Sequence, residues 1–486
     1  MQLRKYIISF LFLGGMFSFS GCDGIFRDVP NDKLSQESIW GSQLLLDEYV
    51  LPWYRNMSNG FSVYMPATAL LKGASRDYLP WYGDQITVSK SDWYNTAYGD
   101  ILKSTPAEVT RRGLINWTNY YTRIQSINLL FENQDKIRNG DHKKRVLGEA
   151  HFFRAYYYYM LLRQFGGVLL LKNNYDPLHD GTKFPRASYE EMVNFIAEEA
   201  DLAASLLSEE LSPRDIGRAT RGAALMLKAK TYFWAASKIY QNQEKSYLGF
   251  PDDRSDAMLT AAAKAYDELM KLPYSLIQIT GSTQDQIKEQ YRQIFLTKNS
   301  QESIWEVQHS NDGDFSNGFG HKLDRESVSP YYGGTVAAYS PTQNHVDEYG
   351  MRDGKAYDAK HPYDNRDYRF YANVLYDGCT FRGRVMEIHY NKVNGKEVAG
   401  EDLTPYGTSE TAAVTKTGYY LGKFVDETQK IDNDESYASK QNYIIWRYAE
   451  VLLDYAEIDF LQNRVDDALD KVNQIRRRGH IYELPK

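Results

Sequence analysis

The sequence predicts an all-α fold with a minor, irregular β component. The first observation is the stretch from Leu147 to Val168, in which apolar and aromatic side chains recur at helical spacing on most sides. The second is a series of helix pairs, with small residues on one helix and bulky ones on the next, as in stacked tetratricopeptide-like hairpins. The third is that residues 53–106 and 300–440 are rich in Gly, Tyr, Asp and Asn and show little periodicity.

The amino-acid composition is typical of a globular protein and disfavours a nucleic-acid-binding function. Of the 486 residues, 42% are hydrophobic and 25% charged, as in ordinary globular proteins. The net charge of -7 provides no basic field for nucleic acid or for an anionic lipid surface. The two cysteines, Cys22 and Cys379, do not make a disulfide framework, and we expect Cys379 to be a small buried residue rather than a nucleophile.

The N-terminus is typical of an export signal. Residues 1–21 combine a basic start, an apolar segment and a small pair, Ser20-Gly21, and the apolar segment is short for a membrane span. The sequence before Cys22 resembles a bacterial lipobox, which predicts lipidation of that cysteine. An ordinary cleaved signal with an incidental cysteine is the alternative. Residues 22–33 form a polar tether, and Asp23 after the cysteine resembles the surface-export signal of Bacteroidetes lipoproteins.

The chain then enters a predicted helix and a long aromatic loop. The helix runs from Leu34 to Leu51, with Leu44 and Tyr49 on its inner face, and Pro52 is expected to end it. Residues 53–106 hold several Gly and Pro residues together with aromatic side chains, beginning with Trp53. Long ordered loops in compact domains are usually functional, so this segment is a candidate binding region.

The candidate ligand contacts of this loop are aromatic and polar. Aromatic rings can stack on the C–H faces of a sugar while carboxylate and amide groups bond its hydroxyls. These residues are Trp81, Tyr82, Asp84, Trp93, Tyr94 and Asn95. The alternative is that the rings only fasten the loop to the body of the protein.

The central part of the chain, residues 110–272, predicts successive helices. A helix over 117–137 is followed by the aromatic helix that Gly166-Gly167 should end, because glycine readily adopts the left-handed cap conformation. Ser188 and Glu191 predict a capping box for the next helix, through Leu207. Helices over 218–240 and 256–272 follow. For the tyrosines of the aromatic helix, packing is favoured over a ligand box.

Residues 300–440 predict a second irregular region after a short strand at 302–309. Its candidate ligand contacts are Tyr331 and Tyr332, with Tyr339 and Asn344 as further candidates. The run at 311–314 resembles a calcium loop only superficially, since the sixth position lacks Gly and the twelfth lacks Glu. No cofactor is predicted.

A final helical hairpin is predicted at 442–480. Its first helix runs from Asn442 to Leu461 and its second from Val465 to Arg478. Apolar side chains recur at helical spacing in both, with Ala449, Leu452 and Phe460 on the first.

Four segments together resemble one family. GEAHFFRAYYYYMLLRQFGGV at 148–168, RATRGAALMLKAKTYFWAAS at 218–237 and NYIIWRYAEVLLDYAE at 442–457 resemble the three signature helices of SusD/RagB-type proteins. KVNQIRRRG at 471–479 resembles the segment that follows. The resemblance covers nearly the whole chain in order, and it implies one SusD-like domain over residues 34–486.

The resemblance also implies a function. Proteins of this family are lipid-anchored at the cell surface of Bacteroidetes, bind glycans without catalysis and cap a SusC-like TonB-dependent transporter in the outer membrane. Family members usually continue past the last motif with an acidic helix, so we expect part of the helical core to lack cover in this chain. A peptide or glycopeptide nutrient is the alternative ligand. A helical glycoside hydrolase is a less favoured alternative. It would need two carboxylates facing each other across a sugar site, whereas acidic pairs such as Glu190-Glu191 are expected on solvent-exposed helix faces.

Overall fold

The computed structural model describes residues 36–55, 57, 86–87, 117–175, 184–310, 320–334, 337, 340–405, 414–429, 431 and 439–486. The predicted signal peptide and the tether that begins at Cys22 lie outside them.

Helices dominate the described chain, as predicted. In chain order the α-helices are α1 (Gln36–Gly41), α2 (Gln43–Arg55), α3 (Trp117–Glu132), α4 (Asp141–Phe165), α5 (Tyr189–Leu206), α6 (Arg221–Ala235), α7 (Ser255–Met270), α8 (Gln284–Leu296), α9 (Leu323–Ser327), α10 (Gln343–Asp347), α11 (Tyr368–Asn373), α12 (Tyr448–Leu461) and α13 (Val465–Arg478). The strands are β1 (Ile86–Thr87), β2 (Ser303–Val307), β3 (Ser340–Pro341), β4 (Val374–Leu375), β5 (Thr380–Phe381), β6 (Arg384–Val385), β7 (Tyr390–Val393), β8 (Lys396–Ala399), β9 (Tyr420–Leu421) and β10 (Tyr443–Arg447).

The aromatic helix α4 is the centre of the main core. Its buried side chains, which include Phe152, Phe153 and Tyr157, lie on most sides of the helix. It ends at Gly166, whose φ is 68° and whose N–H donates to Leu162 O. The buried helix and its glycine cap are therefore confirmed, and the tyrosines serve packing.

The prediction that Pro52 ends the first helix is wrong, because α2 continues past it. Trp53, the next residue, is fully buried; its indole N–H donates to Ser126 Oγ at 2.8 Å and its ring lies 6.1 Å from that of Phe153. These contacts hold the last turn although proline cannot donate a backbone hydrogen bond. Trp53 is thus part of the core and not of a ligand-binding loop.

The predicted inner face of that helix is wrong in part. Ser42 interrupts the helix between α1 and α2, and Leu44 is 70% exposed, whereas Tyr49 packs against the core as predicted. The fully buried side chains of α2 are Leu46, Val50 and Trp53. Which face is buried is decided by the position of α4, against which α2 packs.

Successive helices form the predicted hairpins: α3 packs on α4, α4 on α5, α5 on α6 and α6 on α7. The capping box of α5 is confirmed, with Glu191 N–H donating to Ser188 Oγ at 3.1 Å and Ser188 N–H donating to the Glu191 carboxylate at 2.7 Å. The small residues of α6 permit close approach, and Ala223, Ala224 and Ala229 are fully buried.

The last predicted hairpin is confirmed only in part. Residues 443–447 form strand β10 instead of helix, and the helix α12 begins at Tyr448. Strand β10 pairs antiparallel with β2, and the rings of Trp305 and Trp446 lie 5.5 Å apart. Ile and Trp residues favour strands, and here the partner strand decides between the two structures. Phe460, predicted on the inner face, is 62% exposed.

Helix α8 is absent from the sequence prediction. It begins with a capping box between Thr283 and Gln286, a signal that was present in the sequence. Its apolar side chains, which include Tyr291, Ile294 and Phe295, form a separate cluster against α11.

The rest of residues 300–440 is irregular and partly β, as predicted. Short helices alternate with small two-stranded sheets, which pair β1 with β3, β4 with β9, β5 with β6 and β7 with β8. Among the residues that the structure describes, no helix is both long and apolar enough to cross a membrane.

Candidate functional site

The site is built around two adjacent tyrosines, Tyr331 and Tyr332, on a single 3-10 turn (Pro330–Tyr332). Gly333 ends this turn with φ 86°, in the left-handed region that favours glycine. At Gly334 a Cβ atom would lie 1.9 Å from Val328 O, so only glycine fits the close approach of the two backbone segments. This turn fixes the positions of the two side chains.

The two rings have different roles. Their centroids lie 5.0 Å apart and their planes meet at 77°. Tyr332 is anchored, because its hydroxyl donates to Phe381 O at 3.0 Å and its ring packs edge-on against the Phe381 ring at 4.9 Å. Tyr331 is 45% exposed. Tyr332 therefore supports the site, and Tyr331 presents an aromatic surface to solvent.

A guanidinium group supports Tyr331 from strand β6. The Cζ atom of Arg384 lies 4.0 Å from the centroid of the Tyr331 ring and 5.4 Å from that of Tyr332. Such a cation–aromatic contact restricts both side chains. The tight β5–β6 turn, with Gly383 at φ 77°, carries the chain from Phe381 to Arg384.

Asp402 holds this arginine in place. The carboxylate is fully buried and forms an ion pair with Arg384. It also accepts hydrogen bonds from Ser329 Oγ at 2.5 Å and from Glu387 N–H at 2.8 Å. Ser329 directly precedes the turn that carries Tyr331, so one buried carboxylate links the turn to the guanidinium.

The protonation states follow from these contacts. Burial raises the pKa of Tyr332, and the nearby charge of Arg384 only partly offsets this, so the phenol remains neutral at ordinary pH. Burial alone would lower the pKa of Arg384, but the hydrogen bond and charge of Asp402 outweigh burial and raise it. The site therefore offers an aromatic face beside a permanent cation, which suits binding by stacking and hydrogen bonds.

The structure places the predicted contacts unevenly. Tyr331 and Tyr332 are brought together, and Asn344 lies exposed on α10. Tyr339, the run at 311–314, and six candidates of the first loop lie outside the described residues. These six are Trp81, Tyr82, Asp84, Trp93, Tyr94 and Asn95. Strand β1, with Ile86 and Thr87, pairs with β3 at Ser340–Pro341, so the two predicted binding segments meet at that small sheet.

Sequence reasoning missed Arg384 and Asp402. Both lie far along the chain from Tyr331, and no periodic pattern connects them. A lone arginine near a buried aspartate has no local sequence signature, because their contact is made only by the folded chain. Cys379 is buried as predicted, and burial raises the pKa of its thiol to about 11, so it is not a nucleophile. Among the described residues, no three His, Cys, Asp or Glu side chains form a group able to hold a metal ion.

Two family models match the chain. One describes the SusD family and matches residues 301–486. The other is a SusD-like model, described as starch-binding and associating with the outer membrane, and matches residues 28–233. A search of curated protein sequences finds no significant match.

Solved structures share the fold. A SusD-like protein of Bacteroides fragilis is 24% identical over 93% of this chain and 82% of that chain, with a TM-score of 0.70. A SusD-like carbohydrate-binding protein of the same species is 19% identical over 92% and 80%, with a TM-score of 0.69. Surface glycan-binding protein A of Bacteroides fluxus is 18% identical over 91% and 83%, with a TM-score of 0.59.

The two family models match opposite ends of one chain, and the solved structures extend the likeness over almost all of it. The signature helices that suggested the resemblance, α4, α6 and α12, all contribute buried side chains to the main core. The protein belongs to the SusD/RagB-like family.

Proposed function

We propose that this protein binds oligosaccharides at the cell surface, without cleaving them, and delivers them to a SusC-like TonB-dependent transporter. The observation that carries the proposal is the exposed ring of Tyr331, held by Arg384 and through it by Asp402. A preorganised aromatic face loses little conformational entropy when a sugar ring stacks on it.

The chemistry of this site suits a neutral sugar. The Tyr331 ring offers an apolar surface for C–H groups, and the Arg384 guanidinium has donors for hydroxyl groups. A stacked ring contributes on the order of 1 kcal/mol, so an oligosaccharide needs several such contacts for useful affinity. We propose that Trp81, Tyr82, Trp93 and Tyr94, with Asp84 and Asn95, supply the further contacts. The pairing of β1 with β3 supports this, because it joins the two loop-rich segments.

Binding without cleavage is supported by the state of Asp402. A glycoside hydrolase needs two carboxylates that flank the bond to be broken. Asp402 is fully buried, and its oxygens are occupied by Arg384, Ser329 and the Glu387 N–H. It therefore serves to position the binding surface rather than to transfer protons.

The proposed cellular location is inferred from the N-terminal sequence and from the family of the protein. We propose that Cys22 carries lipid and anchors the protein on the outer membrane, beside the transporter that it serves. The description of one matching family model, associating with the outer membrane, supports this location. Metabolic labelling with radioactive palmitate should label the native chain and not Cys22→Ser, and labelling of both would contradict the anchor.

The binding test uses soluble protein that lacks residues 1–22. Calorimetric titration with maltohexaose, laminarihexaose, xylohexaose and mannohexaose should show binding of at least one. Tyr331→Ala should then lower that affinity about fivefold to tenfold. Trp81→Ala and Trp93→Ala should weaken the same interaction.

The matched control is Tyr390→Ala on strand β7, since Tyr390 is also an exposed tyrosine, at 64%. It should leave the affinity unchanged. Absence of binding to every oligosaccharide, or an equal effect of the Tyr331 and Tyr390 changes, would contradict the proposed function.

A further inference from the structure

A groove on the helical side of the molecule, away from Tyr331 in the chain, also has the features of a ligand site. It is lined by helix α5 and by residues 170, 172 and 184–187, which lie between α4 and α5 in the chain. Its volume is about 420 Å³, within the range of small-molecule sites. The side chains that matter for its chemistry are those of Leu170, Lys172, Phe184, Asn194, Phe195 and Glu198.

Phe184 forms an aromatic wall of the groove. Its ring is 37% exposed and packs edge-on against Tyr175, with centroids 4.8 Å apart and planes at 89°. The backbone of Tyr175 is itself held by Gln125, whose amide oxygen accepts from Tyr175 N–H at 3.0 Å. The Phe184 ring is therefore supported from one side and open to solvent on the other.

Other side chains of the groove carry polar groups that have no hydrogen-bond or ion-pair partner within the described chain. Asn194 and Glu198 are exposed and lie one turn apart on the same face of α5. Neither forms a hydrogen bond or ion pair with a described residue, and the same holds for the Lys172 ammonium group. Lys172 instead lies 5.3 Å from the ring centroid of Phe195. The groove thus offers an amide, a carboxylate and an amine beside an aromatic ring.

Other polar groups of the groove are already occupied. Glu191 accepts from the Ser188 N–H in the capping box. The Arg186 guanidinium donates to Gly167 O at 2.7 Å and to Phe165 O at 2.6 Å. By contrast, Asn194, Glu198 and Lys172 form no hydrogen bond or ion pair with the described residues, so these are the groups that we take to be available to a ligand.

The charges and the backbone indicate the class of ligand. Lys172 and Glu198 carry opposite charges, so the available groups favour neither an anion nor a cation. One common mode of peptide recognition adds a strand to a free sheet edge. The described lining of the groove contains no strand, and Ala187 N–H already donates to Val168 O at 2.8 Å. An aromatic ring beside polar side chains is the combination that suits a polyhydroxylated ring with C–H faces.

We propose that this groove is a second saccharide-binding site, which takes one or two neutral sugar residues. The sugar ring stacks on Phe184, and its hydroxyl groups bond to Asn194, Glu198 and Lys172. The proposal rests on these residues and does not require Tyr331 to bind glycan.

The test isolates the groove by removing the rings proposed for the first site. Soluble protein carrying Tyr331→Ala, Trp81→Ala and Trp93→Ala is titrated calorimetrically with the four hexasaccharides named above and with tetra-alanine. At least one oligosaccharide should still bind. Adding Phe184→Ala should lower that residual affinity about fivefold to tenfold, and adding Asn194→Ala should lower it about fivefold. Both side chains are exposed, so both variants should fold.

The matched control is Phe460→Ala, since Phe460 is a phenylalanine of α12 that is 62% exposed. It should leave the residual affinity unchanged. Loss of all binding in the triple variant overturns the groove while supporting the proposed function. Binding that depends on Phe184 but not on Tyr331 supports the groove and contradicts the proposed function. Residual binding that is insensitive to Phe184→Ala and Asn194→Ala, or binding of tetra-alanine alone, overturns the saccharide site.

Discussion

Both carboxylate oxygens of Glu199 accept hydrogen bonds from Arg154, each at 2.7 Å, between the packed faces of α5 and α4. The same guanidinium donates to Asn128 Oδ1 at 3.0 Å and to Lys172 O at 3.1 Å, and lies 4.3 Å from the Phe131 ring centroid. Both charged groups are buried. One ion pair therefore joins three helices and the segment that leaves α4.

Glu199→Ala should destabilise the fold by about 3–5 kcal/mol, because it leaves the Arg154 charge buried without its carboxylate partner. Urea unfolding measures the loss. Asp201→Ala is the control on the same helix: its ion pair with Lys228 is exposed and should be worth less than about 1 kcal/mol. Equal effects of the two changes would show that burial of the pair does not matter.

Tyr54 joins the N-terminal helix α2 to the core. Its hydroxyl donates to Glu149 Oε1 at 2.8 Å and accepts from Ala219 N–H at 2.9 Å. Tyr54→Phe should cost about 1–3 kcal/mol, since it leaves the Ala219 N–H unsatisfied. Thermal unfolding of Tyr455→Phe provides the comparison, because the Tyr455 hydroxyl bonds to Asp267 at an exposed position. If both variants melt like the wild type, the Tyr54 contact does not stabilise the fold.

His321 makes stability depend on pH. Its ring is fully buried, with Nε2 donating to Gln441 O at 2.8 Å and Nδ1 accepting from Leu323 N–H at 3.3 Å, so the neutral form satisfies both nitrogens. Burial, and then the neighbouring His309, lower its pKa well below the usual value. The unfolded chain therefore binds more protons than the folded one below pH 6.5.

Stability should consequently fall as the pH drops below about 6.5, by up to about 1.4 kcal/mol per pH unit, until the folded-state pKa is reached. His321→Asn should flatten this dependence when urea unfolding is followed between about pH 5 and 6.5. His361→Asn, at an exposed histidine, should leave the slope unchanged. A wild-type stability that does not change over this range would contradict the role of His321.

Asp402 should affect ligand binding without touching a ligand. Asp402→Asn removes the charge that holds Arg384, so Tyr331 loses its support and oligosaccharide affinity should fall about fivefold to tenfold. Calorimetry with the best-bound hexasaccharide measures the change. Asp377→Asn is the matched control, since its carboxylate bonds to His389 at an exposed position. Unchanged affinity in Asp402→Asn would contradict the role of this carboxylate in supporting the binding surface.

Local signals predicted much of the helical scaffold. Several confirmed features depend on residues within a few positions of one another. They are the aromatic helix α4, the Gly166 cap, the Ser188 capping box and the two ends of α13. Helix α8 was missed although its capping box is local, but two other errors occur where a distant partner decides. Pro52 lies inside a helix because Trp53 packs in the core, and residues 443–447 form a strand because β2 lies beside them.

The sequence by itself determined that the described chain is a helical scaffold with an irregular segment in residues 300–440, and it pointed to Tyr331 and Tyr332. Hydrophobic periodicity and capping are local, so they can be read along the chain. Only the tertiary structure decided which tyrosine is exposed and that Arg384 and Asp402 support it. The same holds for the groove at Phe184, because contacts between residues far apart in sequence arise only when the chain is packed.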